Sequence, residues 1–112
     1  MSKLDEKIAL YQGEMKKMGL KFNADLLTKV TKGLGPSIYK PDAETVSGSD
    51  KKELETLKKN FLMKKLGLPD SPKLDHAVEN VIEKVGKSNR NKYRAIVYYE
   101  LVKELGQEGK YN

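Results

Sequence analysis

From Tyr93 to Leu105 nearly every uncharged residue is apolar: Tyr93, Ala95, Ile96, Val97, Tyr98, Tyr99, Leu101, Val102 and Leu105. Wound at about 100° per residue, they cover more than half of a helix's circumference, wider than the stripe of a surface helix. Such a segment either stands at the centre of a bundle or keeps one apolar strip for a partner. The central role takes precedence, because a small helical chain needs one such element to organise its core. Everything else has to pack around it.

The rest of the chain supplies suitable neighbours. Apolar residues recur at helical spacing, and no segment alternates as a half-buried strand does. A first helix is expected from about Lys3 to Met18, capped by Ser2, with Leu4, Ile8, Tyr11, Met15 and Met18 in one stripe and Gly19-Leu20 as its stop. Asn23 caps a second, carrying Leu26, Leu27, Val30 and Leu34 and ending near Gly33 to Gly35. Residues 35–49 read as an ordered loop with a turn or two of helix, its Ile38, Tyr39 and Val46 packed on the core. A third helix runs from Ser49 or Asp50 to about Leu66, with Glu53 placed to close a capping box. Leu54, Leu57, Phe61, Leu62 and Leu66 form its apolar arc. Ser71 and Pro72 open a fourth, with Leu74, Ala77, Val78, Val81, Ile82 and Val85 facing inward and Gly86 as its end. The fifth is expected from Ser88 or Asn89 to Leu105, and Gly106 stops it. The expected fold is all-α: a compact bundle of about five helices, the C-terminal long helix central, in a single domain of residues 1–106 with a short flexible tail at 107–112.

Composition excludes several kinds of chemistry. There is no cysteine, so disulfides, thiolate metal sites and cysteine nucleophiles are out. His76 is the one histidine and falls on the polar side of the fourth helix beside Asp75 and Glu79, which leaves neither a zinc site nor a Ser–His–Asp triad. No cofactor is expected. No stretch nears the ~18 to 20 apolar residues of a membrane span, and no signal peptide is visible, so the expectation is a soluble cytoplasmic protein that meets no membrane. The net charge of +6 permits contact with nucleic acid but is spread over 20 lysines mixed with 16 acids, which is also how a solvated surface looks.

Two of the 22 basic residues are arginines, four apart in Asn89-Arg90-Asn91-Lys92-Tyr93-Arg94. Arginine is a rigid, permanently charged fork and lysine a mobile point charge, so this usage points to geometry. Arg94 falls among Val97, Tyr98, Leu101 and Leu105, inside the apolar arc of its own helix, where a guanidinium needs a carboxylate, carbonyls or a bound anion. With Lys92 it also opposes the helix dipole. An internal ion pair, with Asp42, Asp50 or Asp75 as the acid, is the plainer reading. A small-anion site at Arg90, Lys92 and Arg94 is the functional one. Lys58 and Lys65 lie within the apolar arc of the third helix, their stems on apolar surface and their ammonium groups in water. With Lys59 and Lys64 they form a candidate basic patch, to which Lys51 and Lys52 add. No aromatic residue interleaves it for base stacking and no arginine is present, so any nucleic-acid contact there is backbone-directed and weakly specific.

The string Thr45-Val46-Ser47-Gly48-Ser49-Asp50, then Glu53-Leu54 and Phe61-Leu62-Met63-Lys64-Lys65-Leu66-Gly67-Leu68, resembles a small bacterial family of uncharacterised proteins, domain of unknown function 2853. Arg90-Asn91-Lys92-Tyr93-Arg94 followed by Val97-Tyr98-Tyr99 resembles that family's second block. The resemblance implies a compact helical protein and no reaction, cofactor or partner. The functional expectation is a non-enzymatic interaction module with an unidentified, possible protein partner. The alternatives are the lysine-rich nucleic-acid surface and the small-anion site.

Overall fold

Asn23 shows how local chemistry punctuates this chain. Its backbone is extended, and its side-chain oxygen accepts from the N–H groups of Asp25 and Leu26 at 2.9 and 3.2 Å, opening a helix that runs Ala24–Gly33. The computed structural model describes residues 3–40, 44–46, 51–86 and 92–111, apart from the side chains of 36 and 37. Within it α1 spans Lys3–Lys17 and α2 Ala24–Gly33, followed by a 3-10 turn at Gly35–Tyr39. Next, α3 (Lys51–Leu57) continues without a break into a π-helix, Lys58–Lys65. Then come α4 (Pro72–Val85), α5 (Arg94–Glu104) and a closing 3-10 turn, Glu108–Tyr111.

The expected all-α bundle is what forms. Among the described residues the one extended pairing is an isolated antiparallel bridge between Thr45 and Tyr93, where the Val46 N–H donates to the Lys92 carbonyl at 2.8 Å. α5 is the central helix: every residue from Ala95 to Val102 is buried, and α1, α2 and α4 all pack on it. One hydrophobic cluster runs through all these elements, and the Cα radius of gyration of 13.0 Å is that of a tightly packed chain of this length.

The glycine stops work as the local pattern predicts. At Gly19, φ +72°, the N–H of Leu20 reaches back to the Met15 carbonyl and that of Gly19 to Lys16, two bonds that satisfy the last carbonyls of α1. Gly106 ends α5 in the same way, with Gln107 bonded to Val102 and Gly106 to Lys103. Ser71 departs from expectation: its side chain makes no cap bond, and its carbonyl accepts from Leu74 instead. The expected caps at Ser2, Ser49 and Asp50 lie outside the described residues. Of the loop residues, Ile38 and Val46 are buried, but Tyr39 is exposed. Residues 108–111, expected to belong to a flexible tail, instead wind into a turn against α2 with Tyr111 half-buried.

Two helix boundaries are corrected. α5 begins at Arg94, later than the expected Ser88 or Asn89, because Lys92 and Tyr93 are held extended by the bridge to 45–46. The third helix does not stay α-helical. Leu57 and Leu66 are nine residues apart, which at about 100° per residue puts them on opposite faces of an α-helix. In a π-helix, with about 4.4 residues per turn, they return to the same face. Both are 1% exposed. The carbonyl of Phe61 accepts from Leu66, five residues on, at 2.9 Å, and Leu62 accepts from Leu68 at 3.0 Å as the chain turns at Gly67. The wide turn lets Leu57, Phe61, Leu62 and Leu66 all reach the core.

A polar tie crosses the α5–α2 seam: the backbone N–H of Asn23 donates to the Tyr99 hydroxyl at 2.7 Å, and that ring is fully buried. Removing the hydroxyl leaves the N–H without this acceptor. Tyr99→Phe is expected to destabilise the fold by about 1 kcal/mol in urea unfolding, with an unchanged denaturant slope.

Candidate anion-binding cleft

The change of pitch redistributes the lysines. Lys58 and Lys65 stand seven positions apart, which in an α-helix puts them on one face; the π-helix swings them to opposite flanks. Lys58 turns toward the start of α4, where its ammonium lies 3.1 Å from Asp75, 3.3 Å from Asp70 and 3.4 Å from Glu55. Its side chain is only 8% exposed, and the Asp75 hydrogen bond raises its pKa, outweighing the opposing effect of desolvation. The expected water-facing ammonium instead sits among three carboxylates. Lys59 and Lys64 are exposed, and Lys59 lies 4.0 Å from Glu55. The four lysines do not share one patch.

Lys65 turns the other way and donates to the carbonyl of Gly33 at 3.0 Å, at the C-terminal end of α2, where a cation is favoured. The approach is close: a Cβ at position 33 would stand 2.8 Å from that ammonium nitrogen, and the end of the lysine side chain would have to shift to admit it. This contact brings together the end of α2, the π-helix and the start of α5 around a cleft of about 280 Å³. Val30, Leu34, Phe61 and Tyr98 provide its apolar walls, and Lys65 and Arg94 its cations. Tyr111 closes one side, its phenol pushed up in pKa by burial.

Arg94 sits at the rim of this cleft, not within a dry seam. It is the first residue of α5, and its side chain is 20% exposed. One guanidinium nitrogen donates to the Tyr98 hydroxyl, one turn on, at 3.0 Å, and the guanidinium carbon is 5.7 Å from that ring's centre. The other lies 3.6 Å from Glu53, in the first turn of α3. Tyr98 is itself stacked on Phe61, centroids 3.9 Å apart and planes at 17°, so the fork is braced from below. Among the described residues the acid facing Arg94 is Glu53. Asp75 belongs to Lys58, and Asp42 and Asp50 lie outside the described residues. Arg90 also lies outside them, so the arginine pair is represented by Arg94 alone. Lys92 is buried before the helix starts, its carbonyl engaged by Val46.

Sequence reasoning missed Glu53, Tyr98, Tyr111 and Gly33 as site residues, and it missed Glu100. The signal for Tyr98 was present, since it stands one helical turn from Arg94. Glu100 is a carboxylate within the buried face of α5, 4% exposed, with Lys84 at 3.8 Å. Burial raises its pKa and outweighs the nearby lysines. His76 is exposed, as its position on the helix predicts.

Residues 10–109 match the family described as Protein of unknown function (DUF2853). The chain belongs to that family. No curated protein matches the chain at a significant level of similarity. Among the described residues no helix is long and apolar enough to cross a membrane.

Two stability measurements check these assignments. Arg94→Met removes the contacts to Glu53 and the Tyr98 hydroxyl while keeping apolar volume, and is expected to cost about 1 kcal/mol. For Glu100 the folded-state pKa is raised, so the protonated acid favours folding. Its contribution is complete below the ordinary value near 4.5 and is lost as pH rises through the folded value. Glu100→Gln is therefore expected to melt higher than the parent at pH 7, with the gap closing as pH falls toward 4.5. An equal or lower melting temperature at pH 7 would contradict that sign.

Proposed function

We propose that this protein is a non-enzymatic binding module that acts through the cleft between the end of α2, the π-helix and the start of α5, gripping an anionic group that carries apolar surface. One observation supports this most directly: Lys65 and Arg94, far apart in sequence, line a single concavity with apolar walls. Two cations, two phenols, an amide from Asn60 and an aliphatic and aromatic floor are chemistry for holding a group in place. A π-helix in the wall agrees with this, since wide turns recur where side chains are re-aimed for function. A cytoplasmic setting suits the cysteine-free, lysine-rich composition.

The lysine-rich nucleic-acid surface is the weaker reading. Lys58 is already neutralised by three carboxylates and Lys65 is engaged by the Gly33 carbonyl, which leaves Lys59 and Lys64 with Lys51 and Lys52 on the third helical segment. Backbone-directed binding needs several phosphate contacts acting together.

The test is a titration of isotope-labelled protein with acetate and inorganic phosphate to tens of millimolar. Amide shifts are expected to centre on Phe61, Lys65, Arg94 and Tyr111 and to vanish in Arg94→Gln/Lys65→Gln. A spectrum unmoved by either anion, and by an aromatic carboxylate at the same concentration, would retire the proposal. A labelled oligonucleotide at low salt is expected to stay free. Binding that weakens about tenfold for every two or three phosphate contacts as salt rises would favour the lysine surface instead.

A further inference from the structure

We infer that Tyr111 is a displaceable plug: its ring rests in the cleft as an intramolecular occupant and swings out, with the turn that carries it, when a ligand brings an apolar group of its own. This rests on the cleft being the binding site and assigns how that site is opened.

Little besides the ring holds the turn down. Gln107 is fixed, its N–H on the Val102 carbonyl at 2.8 Å and its side-chain amide on the Leu105 carbonyl at 3.1 Å. Beyond it Glu108, Gly109 and Lys110 are exposed, and the Lys110 N–H only turns back on the Gln107 carbonyl. Among the described residues no hydrogen bond or ion pair joins 108–111 to another element. A buried tyrosine usually gives its hydroxyl a partner, as Tyr11 and Tyr99 do here. The Tyr111 hydroxyl has none among the described residues, so one half-buried ring anchors the whole turn. A segment with so few apolar contacts and hydrogen bonds opens locally while the rest stays folded.

Where the ring lies decides what its withdrawal does. It reaches the end of α2, where a Cβ at position 33 would stand 3.7 Å from its Cε1. It lines the cleft together with Val30, Leu34 and Phe61, and it also lines a second hollow of about 320 Å³ beside Asn23, Leu26, Tyr99 and Lys103. One side chain thus stands between two cavities. With it in place, the cleft's volume of about 280 Å³ falls just short of the roughly 300 to 1,000 Å³ typical of ligand sites. With it withdrawn, the apolar wall it covers is freed and the two hollows join into a groove of ligand size. A group that packs on Val30, Leu34 and Phe61 takes over the contacts that the ring gives up.

The experiment titrates the full chain with 3-phenylpropanoate, following amide shifts at Leu34, Phe61 and Lys65 and the backbone order parameters of 108–111. In the parent, the turn is expected to loosen at saturation, its order parameters falling below about 0.6. Tyr111→Ala is expected to bind the same probe roughly three- to tenfold more tightly, the gain when a competent state populated about a tenth to a third of the time becomes permanent. Tyr111→Phe keeps the ring and is expected to bind as the parent does. Melting curves establish that both variants are folded. A turn that stays ordered at saturation, binding in Tyr111→Ala no tighter than in the parent, or Tyr111→Phe matching Tyr111→Ala would each overturn the inference and leave the cleft as the site. Silence at all three amides in both the parent and Tyr111→Ala removes the cleft reading as well.

Discussion

The third helical segment must bury Leu57 and Leu66 on one face although they stand nine positions apart. An α-helix puts residues so spaced on opposite sides, so one leucine would face water, an exposure that costs on the order of 2 kcal/mol. Widening the turn sacrifices some hydrogen-bond geometry and recovers both side chains for the core. The π-helix is thus the local compromise that lets this segment pack beside α4, and the rest of the arrangement follows from it.

The same change of pitch separates two like charges and gives them different work. Lys58 becomes a structural cation that ties the start of α4 to the π-helix through Asp70 and Asp75. Lys65 becomes the cation that closes the C-terminal end of α2. Neither role depends on an unusual residue; each depends on where a widened helix aims an ordinary one. The pocket at Arg94 exists because Lys65 and Gly33 hold α2 and the π-helix together at one edge, while Phe61 and Tyr98 stack at its base.

α5 carries the complementary constraint. It is enclosed over eight consecutive residues, Ala95 to Val102, so its polar groups are either at its ends or costly. Arg94 stands at the first position, where the fork reaches the rim and finds Glu53 and Tyr98. Glu100 stands in the middle and is the exception, a carboxylate held in the core with Lys84 close to it. Tyr99 and Tyr11 show the usual solution for a buried ring: each places its hydroxyl at the edge of the core, on the Asn23 N–H and on the Glu44 carboxylate.

What the sequence determined by itself is what is decided within a few residues: helix content, the glycine stops at 19, 67, 86 and 106, the Asn23 cap, and the centrality of the widest apolar segment. These rest on backbone conformation and on spacing along one helix, both readable without knowing what lies opposite. That an arginine so near an apolar face needs a partner was legible too; which acid answers it was not, since Glu53 is 41 positions away and reaches Arg94 through the packing of α3. Only the tertiary structure decided the pitch of the third segment, because a nine-residue leucine spacing matters only once both leucines have a core to enter. From that pitch came the division of Lys58 from Lys65, and with the docking of Tyr111 against α2 it shapes the cleft, all products of contacts between elements distant in the chain.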